Sequence, residues 1–290
     1  MIRYRSYLNL IDDIKNNIWK VPRDVDGIIG IERSGVIVAN IISEYISVGV
    51  TSLNSVVNYA GENVKDLFNI HGGRQIITPK NTGKYLIIDD TVCSGVRLNE
   101  NMKSLKTKYP DFEFIVLVVY KDGANPAYMP DIVLSDQDIF DAHIYEWNLF
   151  NNYISYNTLY DFDGVLCLDP PSDENTEEYE AYLKNPTPRF SISIHRNFPI
   201  NICTYRLAKY SKETLDFIKK CGLIPGKVYM FNAETKEERN KIAPYIYKAH
   251  VYRNSTYSLF IESNDFEAQM IHQLTNKPVI SIEKNILYGN

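Results

Sequence analysis

Two rhythms of apolar and polar positions alternate along the chain. Short apolar runs rich in β-branched and aromatic residues predict strands at GIIGI (27–31), KYLIID (84–89), EFIVLVVY (113–120) and DIVL (131–134). Between them, VIVANIISEYI (36–46) and VRLNENMKSLK (96–106) carry helical periodicity; Leu98, Met102 and Leu105 fall on one helical face. The pattern then starts again. Strands are predicted at 157–163, 199–204, 227–231, 257–262 and 277–282, with helices over 211–220, 235–247 and 264–274. Near-continuous apolar strands separated by helices predict an α/β chain of two domains, each a mainly parallel sheet flanked by helices. The boundary is expected within 148–156, giving domains 1–150 and 151–290.

Composition narrows the class. The chain has 290 residues, 44% of them hydrophobic and 23% charged, as in an ordinary globular protein, and this is length enough for two cores. A formal net charge of -5 argues against a nonspecific nucleic-acid binder. No apolar run approaches the roughly 20 residues that span a bilayer, and the N-terminus lacks the apolar segment of a signal peptide. Cys93, Cys167, Cys203 and Cys221 form no C-x-x-C pair, so reduced thiols in a cytoplasmic protein are expected rather than zinc or disulfides.

Chemistry concentrates first in YLIIDDTVCSGVRL (85–98), an apolar strand that ends in Asp89 and Asp90 and leads through a short loop into a helix. The carboxyl end of a parallel strand is where α/β proteins bind ligands. Backbone N–H groups at a helix start attract phosphate. Two adjacent carboxylates suit vicinal hydroxyls and a divalent cation, so the segment describes a sugar-phosphate site. A bare acidic pair can also be a helix cap, but GIIGIERSGVIVA (27–39) supplies a second strand–loop–helix with Glu32, Arg33, Ser34 and Gly35 at its turn.

These two segments resemble the 5-phosphoribosyl pyrophosphate (PRPP) motif and the pyrophosphate loop of type I phosphoribosyltransferases. The resemblance implies that Asp89 and Asp90 hold the ribose hydroxyls, and that Thr91, Val92, Cys93, Ser94 and Gly95 cradle the 5-phosphate. It further implies that Arg33, Ser34 and Gly35 meet the pyrophosphate. Arg97 departs from the family pattern, where a small hydroxyl residue is commoner. The stretch 59–80 fits the family's closing loop, with Gly72 and Gly73 as hinges and Arg74 or Lys80 reaching the pyrophosphate.

The second half opens on LYDFDGVL (159–166). Strand alternation predicts Asp161 and Asp163 on one side, where one carboxylate can attack phosphorus while the other moves protons. The DxDGV pattern resembles the first motif of the haloacid dehalogenase (HAD) superfamily. That resemblance implies Asp161 as nucleophile, Asp163 as acid and base, Thr204 and Lys248 on the phosphoryl group, and Mg²⁺ held by Asp161, Asp163 and either Glu262 or Asp265. The spans after Val165 and after Thr204 are too short for a large cap, and the acidic run 172–180 is expected to be a solvated helix start.

A phosphoribosyltransferase followed by a phosphatase resembles the dual-domain ribofuranosyltransferase/phosphatase proteins of bacterial polysaccharide biosynthesis. The pairing implies transfer of 5-phosphoribosyl from PRPP to an acceptor, a glycan hydroxyl, and then removal of the 5-phosphate. Two alternatives stay open: a nucleobase phosphoribosyltransferase coupled to nucleotide dephosphorylation, and a non-catalytic PRPP sensor.

Overall fold

The computed structural model describes residues 2–61, 64–68, 83–122, 125–135, 142–151, 153–171, 176–189 and 198–289. The chain forms two compact units: Tyr7–Ala142, and a second made of Met1–Ser6 with His143–Asn290. Where the sequence suggested a cut near 148–156, the units part at 142/143, and the first residues join the second unit. The cause is pairing distant in sequence: β1 (Ile2–Arg5) forms a two-stranded sheet with a segment around 142–145. The Tyr4 hydroxyl also donates to Asn285 Oδ1 at 2.6 Å.

The first unit runs α1 (Tyr7–Asn17), β2 (Gly27–Gly30), α2 (Ser34–Ile46), β3 (Val50–Ser52), α3 (Leu53–Asn58), β4 (Gly83–Val92), α4 (Val96–Lys108), β5 (Phe112–Lys121) and β6 (Ile132–Val133). Its five-stranded sheet has the order β3-β2-β4-β5-β6, and every neighbouring pair is parallel. Ile29, Ile87, Val116 and Val118 build one core face with Leu98, Met102 and Leu105 of α4, the triplet expected from the helical period. The strand order reverses between β2 and β4, a switch point whose carboxyl-end crevice favours ligands.

The second unit continues with β7 (Ala142–Tyr145), β8 (Thr158–Tyr160), α5 (Glu177–Lys184), β9 (Pro199–Leu207), α6 (Ser211–Lys220), β10 (Ile224–Phe231), α7 (Lys236–Arg239), α8 (Pro244–Arg253), β11 (Leu259–Glu262), α9 (Asp265–Thr275), β12 (Val279–Ser281) and β13 (Ile286–Tyr288). Its six-stranded sheet, β10-β9-β8-β11-β12-β13, is parallel except for the last pair. Successive strand residues enter opposite cores. Tyr160, Ile202, Ile261 and Ile280 pack on one face; Leu159, Cys203, Phe260 and Val279 pack on the other. Burial on both faces explains the continuous apolar runs. Here the order reverses between β8 and β11.

Among the predicted elements, two are reshaped by a turn or helix-breaking residue. The strand predicted over 157–163 stops at Tyr160, because Gly164 turns the chain with a φ of +75°. The helix predicted over 235–247 is broken into α7 and α8: Pro244 cannot continue a helix hydrogen-bond ladder and instead starts a new one. Among the described residues, no helix is long and apolar enough to cross a membrane. All four cysteines are free thiols, with Cys93 exposed and Cys167 and Cys203 buried.

Candidate functional site

At the first switch point β2 and β4 are direct neighbours, so the turn after β2 and the acidic end of β4 lie together. The Ser34 hydroxyl donates to Asp90 Oδ1 at 2.8 Å. Gly35 makes this approach possible: a Cβ there would lie 2.5 Å from the Ile88 carbonyl oxygen and 3.0 Å from Asp89 Cα. Burial, and next the charge of Asp90, raise the Asp89 carboxyl well above the usual carboxylate range. Arg97 is the weakest influence in the other direction. Its guanidinium is engaged elsewhere, donating from Nη2 to the Glu32 carbonyl at 2.8 Å. The Glu32 carboxylate in turn accepts the Asn54 N–H at 2.9 Å. The arginine that departs from the family pattern thus ties the turn after β2 to the start of α4.

The phosphate-loop expectation needs one adjustment. Thr91 and Val92 are not loop residues, since β4 pairs on with β5 through Thr91↔Tyr120 and Val92↔Lys121. The loop proper is Cys93, Ser94 and Gly95, with Gly95 at the N-cap of α4. Its back is braced where the Ala127 N–H donates to the Ser94 carbonyl at 2.7 Å. Arg33 is exposed at the start of α2. Arg74, with Gly72, Gly73 and Lys80, lies outside the described residues.

The second switch point is built differently. Asp161 follows β8, Glu262 ends β11 and Thr204 lies within β9. The three strands are adjacent, and all three residues line a cavity of about 310 Å³ together with Asp163 and Lys248. Gly164 closes the turn with little room, because a Cβ would lie 2.5 Å from Ser263 Cβ. Lys248 comes from the middle of α8, and it is buried. Its ammonium donates to Asp161 Oδ2 at 3.0 Å, Glu262 Oε2 at 2.8 Å and Glu267 Oε2 at 2.9 Å. Burial opposes its charge, but the carboxylates of Asp161, Glu262 and Glu267 outweigh burial and raise Lys248 well above the ordinary lysine value. Burial and then the charge of Glu262 raise Asp161, against the pull of Lys248.

Asp163 has separate partners. Arg206 binds it through two nitrogens, Nε to Oδ2 at 2.9 Å and Nη2 to Oδ1 at 2.5 Å, and the Tyr182 hydroxyl reaches the same Oδ1. The two aspartates expected to act together share a cavity but not an ion pair. Asp265 is the sequence candidate that the fold does not bring there: its Oδ1 accepts from the Tyr288 hydroxyl at 2.9 Å. Three residues escaped sequence reasoning. Arg206 lies two residues after Thr204 on the same strand, so strand alternation points both to one side. Glu267 repeats the acidic character of Glu262 within the first turn of α9. Tyr182 had no sequence signal.

Among the described residues, no three His, Cys, Asp or Glu side chains are arranged as a ready-made metal cage. The donor chemistry still suits a hard cation. Asp161 and Glu262 place carboxylate oxygens at a cavity wall with an excess of negative charge, and Mg²⁺ needs only one or two carboxylates beside water and phosphate oxygens.

The phosphoribosyl transferase domain matches the chain over residues 4–152. Among solved structures the chain is similar to a xanthine-guanine-hypoxanthine phosphoribosyltransferase from Helicobacter pylori, at 18% identity over 51% of this chain and 93% of that one, with a TM-score of 0.38. It is also similar to a purine phosphoribosyltransferase from Pyrococcus horikoshii, at 19% identity over 50% and 93%, with a TM-score of 0.36. A hypothetical protein from Neisseria gonorrhoeae with bound ppGpp shares 17% identity over 51% and 89%, with a TM-score of 0.36. No curated protein matches the chain. With that match spanning more than half of its length, and with an acid-tipped strand beside a tight strand–helix turn at the sheet's switch point, the chain belongs to the phosphoribosyl transferase domain family.

Proposed function

We propose that the chain transfers 5-phosphoribosyl from PRPP to an acceptor hydroxyl, a glycan, and then removes the 5-phosphate. The observation that carries this reading is the pair of switch points, each with its own acidic constellation at the carboxyl ends of parallel strands. In the first unit, Asp89 and Asp90 hold the ribose hydroxyls. Cys93, Ser94 and Gly95 with the start of α4 hold the 5-phosphate, and Arg33, Ser34 and Gly35 face the pyrophosphate. The acceptor oxygen bonds to C1 as the C1–pyrophosphate bond breaks, and the hydroxyl proton leaves with the pyrophosphate. Catalysis there is mainly positioning and stabilisation of the leaving group's charge.

The second unit is read as a HAD-like phosphatase. An Asp161 carboxylate oxygen attacks phosphorus, and Asp163 gives a proton to the departing sugar oxygen. Asp163 then takes a proton from the water that splits the aspartyl phosphate, releasing inorganic phosphate. Thr204 and Lys248 hold the phosphoryl oxygens. Asp161 and Glu262 would hold Mg²⁺, which when bound offsets the charge of phosphate and nucleophile. The one helix described after this turn, α5, has its acidic first turn in solvent and buries Tyr179 and Leu183, which supports a site without a large cap.

The test is incubation with PRPP, Mg²⁺ and a panel of oligosaccharides and nucleobases, with PRPP consumption measured. Consumption that depends on an oligosaccharide is expected. Turnover with a nucleobase and with no oligosaccharide would promote the nucleoside-forming reading, and binding of PRPP without turnover would promote the sensor.

A further inference from the structure

Asp163 is held by a set of contacts that the phosphatase reading does not use. Arg206 is almost entirely buried, lies with its guanidinium 4.3 Å above the Phe162 ring, and grips both Asp163 oxygens. Burial works against its charge, but the Asp163 carboxylate outweighs burial and raises Arg206 above the ordinary arginine value. Tyr182 completes the arrangement. Its hydroxyl reaches Asp163 Oδ1, accepts from Arg206 Nη2 at 2.7 Å and lies 2.9 Å from the Leu168 carbonyl. The three groups come from three elements: the turn after β8, strand β9 and helix α5. A side chain fixed by a bidentate cation and a hydroxyl from a separate helix has lost its rotamer freedom.

We propose that Arg206 and Tyr182 are positioning residues that fix the Asp163 carboxylate as the base for water attack on the phosphoryl group carried by Asp161. Helix α5 is thereby part of the catalytic apparatus of the second unit rather than a passive connection. This rests on the phosphatase reading of that unit. In the step they serve, water bonds to phosphorus, its proton passes to Asp163, and the bond from phosphorus to Asp161 breaks to release phosphate. A carboxylate held on both oxygens by a cation is kept ionised and ready to accept that proton. p-Nitrophenolate leaves without a proton, so forming the aspartyl phosphate from p-nitrophenyl phosphate does not call on Asp163. Misplacing Asp163 therefore slows breakdown of the aspartyl phosphate and largely spares its formation from an aryl phosphate.

The experiment follows p-nitrophenolate release from p-nitrophenyl phosphate by rapid mixing in the wild type, Tyr182→Phe and Arg206→Lys, in the full chain with Mg²⁺. Tyr182→Phe removes one oxygen atom and keeps the ring. The expected result for the variant is a burst of about one p-nitrophenolate per chain, at a rate within about threefold of the wild-type first turnover, followed by a steady-state rate about tenfold or more below wild type. The retained burst is at the same time the check that the variant has folded. If Tyr182→Phe does not fold, Arg206→Lys decides by the same ratio. Equal losses in the first turnover and the steady state, or no loss in either, would overturn the positioning role while leaving the phosphatase reading intact. A wild-type protein that releases no p-nitrophenolate removes that reading and the proposal with it.

Discussion

The two acidic sites occupy the same place in two similar sheets, yet the side chains that meet their carboxylates differ. At the first site the neutral hydroxyl of Ser34 donates to Asp90, and the nearby Arg97 is spent on a backbone carbonyl. Around Asp161 a buried lysine is shared by three carboxylates, and Asp163 has its own arginine. The second site carries built-in cations and is in part held together by them. The same residue type therefore has a different structural meaning in each unit, and mutations should separate the two.

The largest expected effect is on chemistry at the first site. Replacing Asp89 and Asp90 together by Asn should reduce pyrophosphate release from PRPP by about a hundredfold or more, read in a coupled pyrophosphate assay. Aryl phosphatase activity should stay at the wild-type level. Loss of both activities would erase the contrast between the units.

Next comes stability at the second site. Lys248→Ala leaves Asp161, Glu262 and Glu267 around an empty position, and removing one partner of a buried ion cluster costs on the order of 3–5 kcal/mol. Denaturant unfolding should show that loss.

The opposite sign is expected for Asp89→Asn. The folded carboxyl has its pKa raised by burial and by Asp90, so its ionisation destabilises the native state at pH values above that raised pKa. The penalty disappears once the pH falls below the unfolded-state value of about 3.9, where both states are protonated. Asn carries no such penalty. The variant should melt a few degrees higher than wild type at pH 8, and this advantage should shrink to nothing as the pH falls to about 3.5. A stabilisation independent of pH would mean that charge is not the cause.

The smallest effect is expected at Arg97. Removing its hydrogen bond to Glu32 by Arg97→Met should raise the KM for PRPP by roughly three- to tenfold through a looser turn after β2. Stability should change little, because the side chain is exposed.

What the sequence disclosed follows from how local each feature is. Apolar strands that end in acids are visible because the strand, the acids and the following turn are contiguous; so are Leu98, Met102 and Leu105, which one helical period links. Pro244 was a readable signal for the break between α7 and α8, and helical periodicity across 235–247 masked it. The pairing of β1 with β7 was not readable, since IRYR is short and polar and its partner lies far along the chain. Glu262 and Asp265 could not be separated from sequence, because the difference is tertiary: the first meets Lys248 and the second meets Tyr288. Tyr182 was hidden for the same reason, as α5 touches Asp163 only in the folded unit.

The central claim is that one chain carries two successive chemistries. The direct test is to supply PRPP, Mg²⁺ and an oligosaccharide acceptor to the wild type and to Asp161→Asn, and to weigh the products by mass spectrometry. The account predicts ribosylated acceptor from the wild type and phosphoribosylated acceptor, heavier by one phosphate, accumulating with Asp161→Asn while PRPP consumption stays within about twofold. Fully dephosphorylated product from Asp161→Asn would contradict it.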